Sequence, residues 1–169
     1  IIKLDSKGPV LFKQVRVTTY GRKFKIWKFR TMVNHADKLG TQVTTKGDAR
    51  ITRMGHLLRK VRLDELPQLF NVLKGDMTFV GTRPEVPKYV AHYTEEMMAT
   101  FLLPAGVTSR TSIEYKDEDS LLENAEDADE VYIKEVLPAK MVYNLREIEK
   151  FSFMRDICTM IKTVIAVAK

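Results

Sequence analysis

The sequence of 169 residues contains little cysteine, histidine or tryptophan. The single cysteine, Cys158, excludes an intramolecular disulfide and is compatible with a reducing compartment such as the cytosol. No run of about 18 apolar residues occurs, so no segment is expected to cross a bilayer as a simple helix, and no secretory signal is visible. The three histidines lack the spacing of metal ligands, and no glycine-rich nucleotide loop is present. A zinc site and a P-loop nucleotide site are therefore not expected.

Positive charge is in excess and is unevenly distributed. The formal net charge is +6 and the pI is about 9.4. The first 62 residues are strongly basic, whereas acidic residues cluster between residues 117 and 135. This polarity indicates an anionic partner at one site. Nucleic acid, phosphorylated lipid headgroups and a nucleotide substrate all remain open at this point.

The patterning predicts an α+β fold, a mostly helical single domain over residues 1–169 with an N-terminal β-hairpin and amphipathic surface helices. Residues 9–17 and 23–30 are predicted to form the hairpin, and Thr52 to cap a helix. A short helix is predicted at 33–39, and the later helices are expected to break near Pro138 and at 151–152. The segment 153–168 is predicted to pack on the core, with a position in the membrane headgroup layer as the alternative.

The most informative segment is 62–77, which sets Asp64 and Glu65 in an apolar frame between basic segments. Carboxylates at a helix start are suited either to chemistry or simply to capping the helix. The neighbouring apolar side chains recur at helical spacing and are predicted to face a core. They are Leu66, Leu69, Phe70 and Leu73.

Five ordered motifs resemble the bacterial sugar transferases, the monotopic phosphoglycosyl transferases that start glycan assembly on a polyprenyl phosphate. They lie at residues 5–16, 24–32, 48–55, 63–77 and 80–85. The most specific of them is Asp-Glu-Leu-Pro-Gln at 64–68. The resemblance covers nearly the whole chain. It implies a membrane-inserted helical hairpin ahead of residue 5, which is absent from this sequence, so the chain is expected to be the catalytic part of a longer protein.

The resemblance implies a reaction in two steps. A phosphosugar passes from a UDP-sugar to the enzyme with release of UMP, and then to the lipid phosphate at the cytoplasmic face of the bacterial inner membrane. Asp64 is the expected nucleophile, and Asp64 with Glu65 is expected to hold Mg²⁺. The expected phosphate-binding cations are Lys28, Arg59, Arg83, Arg50 and Lys116.

The chain departs from the family pattern at two places. Thr82 stands where the family usually has proline. Many members of the family carry a Pro-Gly-Ile-Thr-Gly element followed by an Asn-Gly-Arg element. This chain has a different sequence at 104–109, where the first element would lie. Lys116 is predicted to take the place of the arginine in the second element. These departures concern the nucleotide and sugar contacts. Neither the sugar nor the oligomeric state can be inferred from the sequence.

Two other functions compete with the transferase. The pI and the aromatic, basic segment 24–30 also fit a nucleic-acid-binding module, although such a module would place Asp64 and Glu65 next to the bound phosphates, so no nucleic acid is expected as a partner. A non-catalytic scaffold at a membrane surface would keep the amphipathic helices and would need neither carboxylate.

Overall fold

An antiparallel hairpin forms the N-terminal part of the structure, a computed structural model that describes residues 1–36, 39, 41, 43–45, 47–116, 118–123, 125 and 127–168. A short helix, α1 (Ile2–Asp5), precedes strands β1 (Leu11–Val17) and β2 (Lys23–Phe29). Leu11 pairs with Phe29 at the open end, and Val17 pairs with Lys23 beside the connecting turn. The predicted hairpin is therefore confirmed.

Helix α2 (Arg53–Lys60) follows the loop and lies unusually close to the end of the hairpin. The Thr52 side chain accepts a hydrogen bond from the Gly55 amide, as the predicted cap requires. A Cβ atom on Gly55 would lie 2.0 Å from the carbonyl oxygen of Thr31, so only glycine allows this approach. The short helix predicted at 33–39 falls partly on residues outside those described.

Residues 63–73, called here the acidic helix, comprise a 3-10 helix (Leu63–Gln68) and α3 (Leu69–Leu73). The helix packs on β2, and Asn71 satisfies the open edge of that strand. The Asn71 Nδ2 group donates to the Lys25 carbonyl at 2.9 Å, and its Oδ1 accepts from the Trp27 amide at 3.0 Å. Backbone groups at a strand edge need such partners, so the side of the helix that faces β2 must be polar.

The prediction that the leucines of the acidic helix face a core is therefore wrong. Leu66 is 50% exposed, Phe70 56% and Leu73 82%, and Leu69 is also exposed. The helix turns its polar side inward and its apolar side outward. Helical periodicity located the apolar stripe but could not show which side of the helix the sheet requires.

The chain next forms a second small sheet. The sequence predicts a short strand or extended run at 77–80, but not its pairing with another strand. Strand β3 (Thr78–Val80) pairs in parallel with β4 (Gly106–Thr108). A Cβ atom on Gly106 would lie 2.2 Å from the Gly81 nitrogen, so glycine permits this pairing. Between the strands lie α4 (Pro87–Val90), α5 (Glu95–Met98) and a 3-10 helix (Ala99–Leu102).

Helices fill the remainder of the chain, in the order α6 (Arg110–Glu114), α7 (Glu118–Leu121), α8 (Ala128–Val131), α9 (Leu137–Glu149) and α10 (Phe153–Ala168). A π-helix (Tyr132–Val136) joins α8 to α9 without a break. The predicted break near Pro138 is thus wrong. Proline has no amide hydrogen, and the chain accommodates the missing hydrogen bond by widening one turn. The break at 151–152 is confirmed.

Helix α10 repeats the outward apolar arrangement of the acidic helix. Thr159 is buried, and Thr163 is bonded through its hydroxyl to the Thr108 hydroxyl at 2.8 Å. The apolar side chains of α10 are largely exposed, so the prediction that they pack on the core is wrong. The exposed set is Phe153, Met154, Ile161, Val164 and Ile165.

The main core lies among the later helices, around Tyr89, Leu122, Leu137 and Met141. A smaller cluster of Phe24, Ile26 and Met77 lies under the hairpin. Together these elements confirm the α+β, mostly helical fold class. No helix within the described ranges is both long and apolar enough to cross a membrane.

Candidate active site

The acidic pair occupies the first turn of the 3-10 helix, where the turn presents the two side chains to the end of β2. Arg62, just before the helix, adopts the left-handed conformation with φ 54° and turns the chain into it. Asp64, Gln68 and Asn71 are buried on the side that faces the hairpin. The predicted position of both carboxylates at a helix start is confirmed.

Glu65 is held by two cations that come from distant parts of the sequence. Lys28, near the end of β2, donates from Nζ to Oε1 at 3.0 Å. Arg83, in the turn after β3, donates from Nη1 to Oε2 at 3.2 Å and from Nη2 to Oε1. Both carboxylate oxygens are thereby occupied, and the guanidinium binds in the two-pronged geometry that makes such pairs strong.

Electrostatics keep Glu65 ionised. Burial by itself would raise the pKa of its carboxyl, but the charges and hydrogen bonds of Arg83 and Lys28 lower that pKa well below its usual range. The same pairing raises the pKa of Arg83, and the largest contribution to that rise comes from the negative charge of Glu65. Lys28 behaves differently, because burial outweighs Glu65 and lowers its pKa to about 8.

Asp64 has the opposite environment. The residue is only 7% exposed, and its Oδ1 atom is buried without a hydrogen-bond partner among the described residues. Burial raises the pKa of this carboxyl, while the nearby positive charges of Lys28, Arg59 and Arg83 oppose the rise. Asp64 is thus a carboxylate that no structural pairing through Oδ1 ties down, which suits a nucleophile.

Arg59 reaches the site from the last turn of α2. Its Nε donates to the hydroxyl of Thr31 at 2.9 Å, and its charge acts on Asp64. The close approach of α2 at Gly55 sets this distance, because the helix contacts Thr31 at both places. The structure therefore brings together five of the seven predicted site residues, namely Lys28, Arg59, Asp64, Glu65 and Arg83.

Arg50 is engaged in the loop that precedes α2. Its Nη2 lies 2.6 Å from Asp48 Oδ2, and its guanidinium also donates to the carbonyls of Ala36, Thr41 and Val43. Lys116 is exposed, and its carbonyl accepts a hydrogen bond from Arg62 at 3.4 Å. A role of Arg50 or Lys116 in binding phosphate stays a prediction.

Several buried polar residues at the site were not singled out from the sequence. Gln68 is fully buried, and both polar atoms of its side chain lack a partner within the described part of the chain. Glu85, two residues after Arg83, is buried beside Arg16 and Lys140. The sequence carried a signal for these two residues only as the last members of motifs, Gln68 in the Asp-Glu-Leu-Pro-Gln element and Glu85 in the motif at 80–85.

The oxygens of the two carboxylates are the candidate ligands for a magnesium ion. Mg²⁺ takes oxygen ligands and needs only one or two carboxylates when substrate phosphates and water complete its shell. The unpartnered Oδ1 of Asp64 fits this requirement. The oxygens of Glu65 already accept from Lys28 and Arg83. No group of three or more His, Cys, Asp or Glu residues that could hold a metal occurs in the described ranges.

Two adjacent carboxylates among three cations, on an α+β frame, define a site suited to a phosphorylated substrate. Comparison with known proteins places the chain in a family. The model of the bacterial sugar transferase family matches residues 1–169. The chain belongs to that family of transferases, as the five motifs indicated.

Three relatives illustrate the similarity. The chain is 37% identical, over 97% of its length, to the UDP-N-acetylgalactosamine-undecaprenyl-phosphate N-acetylgalactosaminephosphotransferase of Aeromonas hydrophila. It is 40% identical, over 79% of its length, to the UDP-glucose:undecaprenyl-phosphate glucose-1-phosphate transferase of Escherichia coli. It is 50% identical, over 54% of its length, to the transferase of the same name from Xanthomonas campestris. The matches cover 36%, 30% and 19% of those three proteins.

The negative charges of Glu65 and Asp64 are expected to change the free energy of unfolding in opposite directions. Because its pKa is lowered on folding, ionised Glu65 stabilises the protein above its unfolded pKa, and Glu65→Gln should cost about 2–4 kcal/mol at pH 7 by leaving two cations without their partner. Because the pKa of Asp64 is raised, its charge opposes folding at pH 7, so Asp64→Asn should leave the unfolding free energy unchanged or increase it. Urea unfolding measures both.

The matched control for this pair is Glu114→Gln, which removes a carboxylate that is half exposed in a surface pair with Arg110. It should change the unfolding free energy by less than about 0.5 kcal/mol. Equal destabilisation by Glu65→Gln and Asp64→Asn would contradict the division between a paired and an unpaired carboxylate.

Proposed function

We propose that the protein containing this chain is a phosphoglycosyl transferase that moves a phosphosugar from a UDP-sugar to a polyprenyl phosphate. The observation that carries the proposal is the contrast between the two adjacent carboxylates: Glu65 is held by Lys28 and Arg83, whereas Asp64 Oδ1 has no partner in the described structure. Family membership and the printed activities of the relatives support it.

In the first step, a carboxylate oxygen of Asp64 attacks the phosphorus that carries the sugar. The new bond joins that oxygen to phosphorus, and the bond from phosphorus to the oxygen of UMP breaks, so that UMP leaves with its electron pair. Lys28, Arg59 and Arg83 are the cations that act on Asp64. With Glu65 ionised, the group keeps a formal excess of one positive charge, which favours entry of an anionic diphosphate.

In the second step, a phosphate oxygen of the lipid attacks the same phosphorus and releases Asp64. The product is a polyprenyl diphosphate sugar, and the enzyme returns to its initial state. Glu65 keeps Lys28 and Arg83 in place through both steps. We propose Mg²⁺ as the cofactor, with Asp64 as its protein ligand. A role of Glu65 as a second ligand stays a prediction. When bound, the ion would reduce the repulsion between carboxylate and phosphate.

The proposed working position is the cytoplasmic face of the bacterial inner membrane. Its physical support lies in the apolar sides that the acidic helix and α10 turn outward. Exposed basic residues flank the acidic helix, among them Lys60, Arg62 and Lys74. Apolar side chains bordered by cations are suited to a surface of anionic lipids.

The competing functions account for less of the site. A nucleic-acid module leaves unexplained the buried Asp64 and the neighbouring Glu65, which lie between the cations. The ring of Trp27, in the segment that suggested stacking on bases, is already covered by the ammonium groups of Lys13 and Lys74 at 4.3 and 4.6 Å from its centroid. A non-catalytic scaffold does not require a buried carboxylate whose Oδ1 has no partner among the described residues and whose desolvation is unfavourable.

The nucleophile is tested by UMP release from the full-length, membrane-anchored protein supplied with UDP-sugars, Mg²⁺ and polyprenyl phosphate. Asp64→Asn should abolish release, by at least about 10³-fold, because an amide does not attack phosphorus. Glu114→Gln should release UMP at the wild-type rate. Continued turnover by Asp64→Asn would refute the assignment, and absence of release from wild type with every donor would favour the scaffold.

The pH profile of kcat/KM tests the two perturbed groups. Activity should fall on the acid side as Asp64 becomes protonated, at a higher pH than for an ordinary aspartate, because burial raises its pKa. On the alkaline side it should fall as Lys28 loses its proton, near pH 8. In Lys28→Arg the alkaline limb should move upward by more than about one pH unit, because arginine stays charged. An unchanged alkaline limb would exclude Lys28 as its cause.

Flotation with vesicles of anionic phospholipid tests the membrane surface. The double variant Leu66→Ser, Phe70→Ser of this chain should lower the bound fraction at least about tenfold, because two exposed apolar side chains are lost. Val142→Ser, a change of similar exposure on α9, is the control and should bind as the unaltered chain does. Equal loss in both variants would refute a specific contact by the acidic helix.

A further inference from the structure

Glu85 is the centre of a buried charged cluster outside the acidic pair. Its Oε1 accepts a hydrogen bond from the Tyr132 hydroxyl at 2.6 Å and lies 3.7 Å from Lys140 Nζ. Its Oε2 lies 3.7 Å from the guanidinium of Arg16. Glu85, Tyr132 and Lys140 are each less than 10% exposed. A buried cluster of this kind fixes the position of its members, because separating any of them leaves a polar group unpaired.

The π-helix brings two of these groups to the same carboxylate. Tyr132 is its first residue, and Lys140 lies on α9, eight positions later. Pro138 follows the π-helix and cannot donate the hydrogen bond of a regular turn. The widened turn sets Lys140 Nζ at 3.1 Å from the Tyr132 hydroxyl and at 2.8 Å from Glu118 Oε2. Such wide turns are frequent at functional sites.

Glu85 belongs to the same turn as Arg83. The guanidinium of Arg16 donates to the carbonyl of Pro84 at 3.0 Å, and the amide of Val17 donates to the carbonyl of Glu85 at 3.0 Å. The turn is therefore fixed by β1 through its backbone and by the later helices through the Glu85 side chain. Arg83, at the other end of the turn, binds Glu65.

We infer that Tyr132 and Lys140 are positioning residues for Arg83: by fixing Glu85 they hold the turn that presents the Arg83 guanidinium to the acidic pair and to substrate phosphate. The inference rests on the proposed function for its catalytic consequence. Its structural part stands separately, since the contacts from Tyr132 through Glu85 to the turn involve no substrate.

Tyr132→Phe is the most conservative test, because it removes one hydroxyl and keeps the ring, whose centroid lies 4.6 Å from that of Tyr89 in a tilted arrangement. In the full-length protein, KM for the UDP-sugar should rise about fivefold, which is the change expected when one buried hydrogen bond is lost. The kcat should stay within about twofold of the wild-type value. The matched control is Tyr89→Phe, which removes a buried hydroxyl that donates to Asp129. It should lower the thermal midpoint without changing KM.

A double-variant cycle on stability separates the inference from the proposed function. In urea unfolding, Tyr132→Phe combined with Arg83→Lys should lower the midpoint by less than the sum of the single changes, because the two residues act through one turn. The cycle tests the positioning role even if the wild-type protein releases no UMP. Absence of UMP release would overturn the proposed function and not the positioning role. Additive midpoints, or a KM for Tyr132→Phe equal to that of wild type in an active protein, would overturn the inference.

Discussion

The ion pairs of Glu65 are the constraint on which the site depends. One carboxylate joins Lys28 from β2 to Arg83 from the turn after β3, so it links the hairpin to the second sheet. It also stays ionised, and it keeps two cations beside Asp64 without requiring Asp64 to pair with them. Adjacent residues of the same chemical type thereby differ in role, one fixed by its partners and the other left with an unfavourable buried charge.

The need to satisfy polar groups of the hairpin explains why the acidic helix turns its apolar side outward. The hairpin offers an open strand edge, and the amide of Asn71 is needed to satisfy it. The side that carries Asn71 also carries Asp64 and Gln68, so the polar side must face inward. The leucines and Phe70 then have no place except the surface. Helix α10 also turns polar side chains inward, namely the buried Thr159 and Thr163, whose hydroxyl contacts that of Thr108.

Much of the fold was predictable, because it depends on local signals. Alternation predicted the hairpin, and Thr52 predicted the start of α2. The motifs contain Asp64 and three of the four charged residues around it, Lys28, Glu65 and Arg83, whereas Arg59 was inferred from the resemblance to the family. The sequence could not give the direction in which an amphipathic helix faces, since that depends on what its neighbour lacks. Nor could it give the parallel pair β3 and β4, the π-helix, or the contact of Tyr132 with Glu85 across 47 positions, because these arise from packing between distant segments.

We propose that, of the two neighbouring carboxylates, only Asp64 forms a covalent intermediate. The most direct measurement is peptide mass spectrometry of the full-length protein after incubation with UDP-sugar and Mg²⁺ in the absence of lipid acceptor. Fragmentation between residues 64 and 65 tells the two side chains apart. We expect a phosphosugar on Asp64 and an unmodified Glu65. A phosphosugar on Glu65, or UMP released with neither residue modified, would contradict it.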